Sequence, residues 1–279
     1  MTWVIGHLLA ACIGLSLGLI GGGGSVLALP ILVYVMGVPP KSAIAMTLVI
    51  VGTVSILGII PHWRAKNIRF KTALIFGSTT MLGAFLGAKI ATLPVITDSV
   101  QMTLFAVMML FAAVFMIRRS SQPVTEADLA LYPQPVCKYC WLWLMTEGLG
   151  VGILTGLVGV GGGFAIVPAL VLLGKVPMKK AIGTSLLIII FNSITGFLGY
   201  MGQVPLNWNL MFSFIIAASL GTIPGAYFAQ YVPAQKLQKT FGYFLLAVAA
   251  VVLVQNRHTP QSSKVSNHNS TRMVARSFK

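Results

Sequence analysis

Apolar runs occupy nearly all of this chain, near 3–20, 24–37, 42–62, 71–92, 98–118, 141–159, 162–174, 180–200, 207–230 and 236–255. Several reach the roughly 20 residues that a helix needs to cross the hydrocarbon of a bilayer. Charged residues make up 8% and hydrophobic ones 57% of the 279 residues. A soluble domain carries about 25% charge, so that class is excluded. The sequence specifies an all-α, polytopic protein of the cell inner (plasma) membrane.

Lys and Arg total 19 against four Asp and Glu. Most of these cations fall in short connections between apolar runs, where they set orientation and meet lipid headgroups. Nucleic acid is not the partner expected of them, and a field rich in bases tolerates anions. The N-terminal run MTWVIGHLLAACIGLSLGLI lacks a basic n-region and a small-residue cleavage site, so it reads as the first structural helix. Cys137 and Cys140 form a lone CxxC, half of a tetrahedral zinc set with no second pair. No metal or cofactor is therefore expected, and a homo-oligomer stays open.

The two halves are copies. GLIGGGGSVLALPILVYVMGVPPKSAIAMTL aligns without a gap on GLVGVGGGFAIVPALVLLGKVPMKKAIGTSL at an offset of 138 residues. Gly21, Gly23, Gly24, Pro30, Pro39 and Lys41 meet Gly159, Gly161, Gly162, Pro168, Pro177 and Lys179. The same offset carries Ser55, Gly58, Gly83 and Gly87 onto Ser193, Gly196, Gly221 and Gly225, the signature of an internal duplication. The expected organisation is a first transmembrane repeat over 1–118, a linker over 119–140, a second repeat over 141–255 and a disordered basic tail over 256–279.

Equivalent loops carry opposite charge. His62–Lys71 holds Arg64, Lys66, Arg69 and Lys71 and should be cytoplasmic, whereas its counterpart Tyr200–Asn209 is uncharged. The first and third connections reverse that bias. Inverted copies produce this pattern, and inversion needs an odd number of crossings per half. A break or re-entrant bend at the glycines supplies it, because 24–37 and 162–174 span only about 20 Å as helix. Inversion leaves Lys41 and Lys89 as the loop cations outside and places the basic tail outside. The parallel alternative puts the tail inside but strands more loop cations outside. Inversion is favoured.

A duplicated G-x-G-G-G with a proline six or seven positions on, in a chain of this hydropathy, resembles the sulfite exporter TauE/SafE family of membrane permeases, from about Gly14 to Leu253. The resemblance implies an ion-coupled transporter of a sulfur-containing anion such as sulfite or an organosulfonate. Val160 interrupts the second glycine run and Ser25 faces Gly163, two departures from a strict repeat.

Consecutive glycines make a helix break cheap, each costing up to about 1 kcal/mol against alanine in a helix. Non-helical backbone survives at membrane depth only if buried in protein or lining a wet cavity. The break also frees N–H groups at the start of the next half-helix, a ready anion site. Gly21, Gly22, Gly23, Gly24 and Ser25 with Gly159, Gly161, Gly162 and Gly163 are therefore the expected substrate-binding backbone, joined by Thr47, Ser55, Ser185, Asn192 and Ser193 as hydroxyl and amide donors. Close helix packing is the competing role for glycine, and it fits Gly83/Gly87 and Gly221/Gly225 better. Glu147 is the candidate for ion coupling, though it lies about 18 Å along a helix from Gly159. His7 and His62, near segment ends, are expected at the interface, and Lys89 is expected to snorkel outward. A channel, a scaffold or sensor, and less readily an intramembrane enzyme with Ser25 as nucleophile, are the competing classes.

Overall fold

The computed structural model describes residues 2–93, 96–120, 140–158, 163–172, 174 and 176–258, and among these there is no strand. The order is α1 (Thr2–Ile20), α2 (Gly23–Pro30), α3 (Pro40–Arg64), α4 (Phe70–Ala91), α5 (Asp98–Ser120), α6 (Cys140–Val158), α7 (Gly163–Leu172), α8 (Met178–Tyr200), α9 (Trp208–Phe228) and α10 (Ala234–His258). Seven of these (α1, α3, α4, α5, α8, α9 and α10) contain stretches long and apolar enough to cross a bilayer. The bulk of the linker, Gly159–Gly162, Cys137 and most of the tail lie outside the described residues.

Proline shapes the short helices. Pro30 has no N–H to give the preceding turn, and after it the helix widens into a π-helical turn over Ile31–Val35. The end is closed by Met36 N–H to the Ile31 carbonyl at 3.1 Å and Val38 N–H to the Leu32 carbonyl at 3.0 Å. At the 138-residue offset the same pair recurs: Gly174 to Ala169 at 3.0 Å and Val176 to Leu170 at 2.9 Å. Pro40 then occupies the first turn of α3, where a missing N–H costs nothing.

α1 and α2 form a tight antiparallel hairpin. A Cβ on Gly24 would strike the Ile13 carbonyl and Leu17, and one on Gly6 would meet the Met36 sulfur at 2.5 Å, so the chain returns along its own path. Small residues let the remaining helices pack closely. Gly14 sits against Ala218 and Gly18 against Thr222 and Ala226, so α1 and α9 run parallel. Gly148, Gly152 and Gly156 step along Phe76, Thr80 and Ala84, so α6 and α4 do the same. Gly83, Gly87, Gly221 and Gly225 lie in these two seams, against backbone of the facing helix.

α3 and α8 form the centre. Of their hydrophobic windows 72% and 61% is buried, against 39–44% for the other five long spans. Gly52 faces Ser193, Gly58 faces Leu186 and Gly196 faces Leu48, so α3 and α8 run antiparallel. They are equivalent helices at the 138-residue offset, and they point in opposite directions.

Candidate functional site

α1 ends at Ile20, and Gly21 takes φ +74°, a conformation that side chains other than glycine's rarely adopt. Its N–H still closes onto the Leu17 carbonyl at 2.7 Å. Gly22, at φ −151°, starts the return, and α2 begins at Gly23. The interruption expected from the glycine run is therefore present and buried.

Gly22 meets the other half directly. A Cβ there would overlap the Gly163 carbonyl, and one on Gly163 would lie 2.7 Å from Gly22 Cα and 3.2 Å from Ser25 Oγ. The N-terminal ends of α2 and α7 thus abut, backbone against backbone. Gly24 packs on α1. Gly23 alone of the four has room, its nearest neighbours being Ile20 and the Ser16 carbonyl at 3.4 Å. Gly159, Gly161 and Gly162 lie outside the described residues.

The hydroxyls divide into two groups. Ser25 donates to the Gly22 carbonyl at 2.7 Å. Ser185 donates to the Ile182 carbonyl at 2.8 Å and also reaches the Gly21 carbonyl at 3.2 Å, tying α8 to the break of the other half. Both hydroxyls brace the interruption. The second group is different. Thr47 Oγ1, Ser55 Oγ, Ser193 Oγ and Asn192 Nδ2 are buried and have no hydrogen-bond partner among the described residues. The four residues are 0%, 0%, 3% and 1% exposed. All lie on α3 and α8, and Ser193 fills the space beside Gly52. Asn192 Oδ1 lies 3.1 Å from the Thr80 hydroxyl, which also reaches the Gly77 carbonyl at 2.9 Å, and Nδ2 is the end of the amide with no partner among the described residues.

A cavity of about 730 Å³ opens where α2 ends and α3 begins, lined by Met36, Gly37, Val38, Pro39, Ser42, Met46 and the segment Pro205–Leu210. Among the described residues no charged one lines it. Its Met46 immediately precedes Thr47, and Ser55 lies about 12 Å farther along α3 at 1.5 Å per residue. Nothing in the sequence pattern marked this mouth, because it is built by two connections and two helix ends.

Other expected positions fall elsewhere. Glu147 is half-buried on α6, next to the Gly148 that packs on Phe76 and Thr79 of α4. Lys89 is exposed and rests over the Phe85 ring. His62, in the last turn of α3, is 2% exposed, because that turn packs on α1 and the start of α8. Thr80, Gln101 and Tyr200, which no pattern in the sequence singles out, are also buried and bonded.

Residues 7–274 match the family described as sulfite exporter TauE/SafE. A probable membrane transporter protein of Xylella fastidiosa is 34% identical over 247 residues, covering 86% of this chain and 91% of that protein. The probable membrane transporter proteins YdhB and YunE of Bacillus subtilis are 25% and 26% identical, covering 87% and 91% of this chain and 96% and 95% of their own lengths. No solved structure matches.

Proposed function

The chain belongs to the sulfite exporter TauE/SafE family, and from that premise we propose that it carries a small sulfur-containing anion, sulfite or an organosulfonate, across the membrane by ion-coupled transport. The observation that carries this is the set of four buried polar atoms on α3 and α8 that no group among the described residues satisfies. A buried donor left unmatched costs about 1–3 kcal/mol, so a fold keeps several only where something else meets them. Polar groups inside a membrane protein mark its substrate path. Three hydroxyls and an amide are donors, and sulfite or sulfonate oxygens are acceptors.

The substrate route runs from the mouth at Ser42 and Met46 past Thr47 to Ser55, Asn192 and Ser193. The break at Gly21–Ser25 and the start of α7 at Gly163 flank it. With Gly22 seated on Gly163 the two half-helix ends leave no room for an anion between them, so this arrangement is the state closed at the breaks. Separation of α2 from α7 frees the amides at the two helix starts to join the hydroxyls around the anion.

The halves act as inverted repeats. Equivalent helices α3 and α8 run antiparallel, and a two-fold axis reverses a helix only when it lies across it. An axis across the spanning helices lies in the membrane plane, the arrangement on which many transporters build alternating access. The loop charges agree, with Arg64, Lys66, Arg69 and Lys71 on the cytoplasmic side. Under this orientation the 730 Å³ mouth faces outward. α1 and α2 then enter and leave by the same face, which gives each half its odd number of crossings.

The discriminating experiment is flux into liposomes holding the purified protein. A transporter moves a sulfur anion saturably and shows counterflow. A channel conducts without saturation. Hydrolysis of an added ester or amide with no flux would establish an enzyme instead.

A further inference from the structure

His62 and Tyr200 occupy equivalent places at the 138-residue offset, as do Gly18 and Gly156. His62 Nε2 lies 3.4 Å from the Gly18 carbonyl, and the Tyr200 hydroxyl donates to the Gly156 carbonyl at 3.3 Å. Two different side chains thus make the same contact in the two halves. Each joins the end of the third helix of its half to the last turn before the glycine run. His62 is 2% and Tyr200 0% exposed, so neither contact is a surface accident.

The carbonyl explains the need. In an unbroken helix the Gly18 oxygen would accept from the N–H of residue 22. The turn at Gly21 and Gly22 removes that donor, and a buried carbonyl without a partner is costly. For His62 to donate, its proton must sit on Nε2; Nδ1 has no partner among the described residues. In the other half Gln101 adds support, its Nε2 lying 3.4 Å from the Tyr200 oxygen and 2.8 Å from the Leu157 carbonyl.

We infer that His62 and Tyr200 are a matched pair of latches, positioning residues that hold each broken helix against α3 or α8 and that must let go for the breaks to part. His62 adjoins the basic connection and latches the cytoplasmic end; Tyr200 adjoins the uncharged connection and latches the outer end. The inference rests on the transporter assignment for its purpose, but its test needs no substrate.

Two further equivalents, Ala88 and Ala226, serve as reporters. Both are fully buried; Ala88 Cβ lies 2.5 Å from where a Cβ on Gly199 would sit, and Ala226 N lies 2.5 Å from the same point on Gly18. In a background with Cys12, Cys137 and Cys140 changed to serine, Ala226→Cys and Ala88→Cys are labelled with a membrane-impermeant maleimide, in inverted vesicles and intact cells respectively. Loss of one hydrogen bond shifts such an opening equilibrium about fivefold. His62→Phe should speed labelling at position 226 by that factor and leave position 88 unchanged. Tyr200→Phe, which removes one oxygen and keeps the ring, should do the reverse. His62→Tyr should restore slow labelling, since tyrosine makes this bond in the other half; His62→Gln offers a smaller donor if tyrosine does not fit. Unchanged rates in both phenylalanine variants, or equal changes at both positions, would overturn the pairing. Fast labelling in both His62→Tyr and His62→Gln would overturn the hydrogen bond to Gly18 as what holds the latch. Liposome flux is measured separately, so failure of the latch and failure of the transporter assignment give different results.

Discussion

The apposed breaks make a sharp distinction between neighbouring glycines. At Gly22 an alanine Cβ would overlap the Gly163 carbonyl and lie 2.9 Å from Gly163 Cα. Carbon–carbon contacts settle at about 3.5–4.0 Å, so the two half-helices would have to part by roughly 0.6–1 Å, and by more at the oxygen. Both partners are backbone, so no rotamer change relieves the clash. Overpacking of this kind costs about 1–3 kcal/mol, which corresponds to roughly five- to 150-fold in the population of correctly apposed breaks. At Gly23 the same methyl meets its neighbours at 3.4 Å, an ordinary contact, and alanine is the better helix former. Gly22→Ala should therefore lower both Tm in detergent and sulfite flux in liposomes, by at least fivefold for flux, while Gly23→Ala should keep wild-type values. Equal behaviour of the two variants would refute the backbone contact as the reason for the glycine run.

Two further outcomes follow from the topology and the coupling. A reporter fused to the C-terminus should be active outside the cytoplasm if the halves are inverted; cytoplasmic activity would restore the parallel arrangement. Glu147→Gln should leave substrate-driven counterflow intact and abolish the dependence of net flux on an imposed proton gradient if Glu147 carries the coupling ion, and an unaltered gradient dependence would remove it from that role.

The helical class was legible because an apolar run of span length has few other uses, and every run identified corresponds to a helix within a few residues. The break was legible at Gly21–Gly24 because no continuous helix gains from four consecutive glycines. Their individual duties were not. Gly22 meets Gly163, Gly24 meets Ile13 and Leu17, and Gly23 meets its neighbours only at ordinary distance, differences set by which helix lies opposite and invisible in a repeat of one letter. Thr47, Ser55, Asn192 and Ser193 were recognisable as polar residues in apolar runs, whereas Ser25 and Ser185 looked the same and are engaged with carbonyls of the breaks. His62 stands near a segment end as its position in the sequence suggests, but its burial there was not legible, because distance from a segment end says nothing about the helices packed around that end. The pairing of His62 with Tyr200 was hidden by chemistry: an imidazole and a phenol align poorly by residue type yet meet equivalent acceptors, the Gly18 and Gly156 carbonyls.

Binding of sulfite to the purified protein, compared between wild type and the double variant Thr47→Val, Ser193→Ala, tests the central claim most directly. Removing two unmatched buried polar atoms should raise Tm in the absence of ligand, since each costs about 1–3 kcal/mol while buried. The same change should weaken sulfite binding at least tenfold, given the roughly 1.4 kcal/mol that a tenfold change in affinity represents. A variant that is less stable than wild type, or one that binds sulfite as tightly, would contradict the assignment of these hydroxyls to the anion.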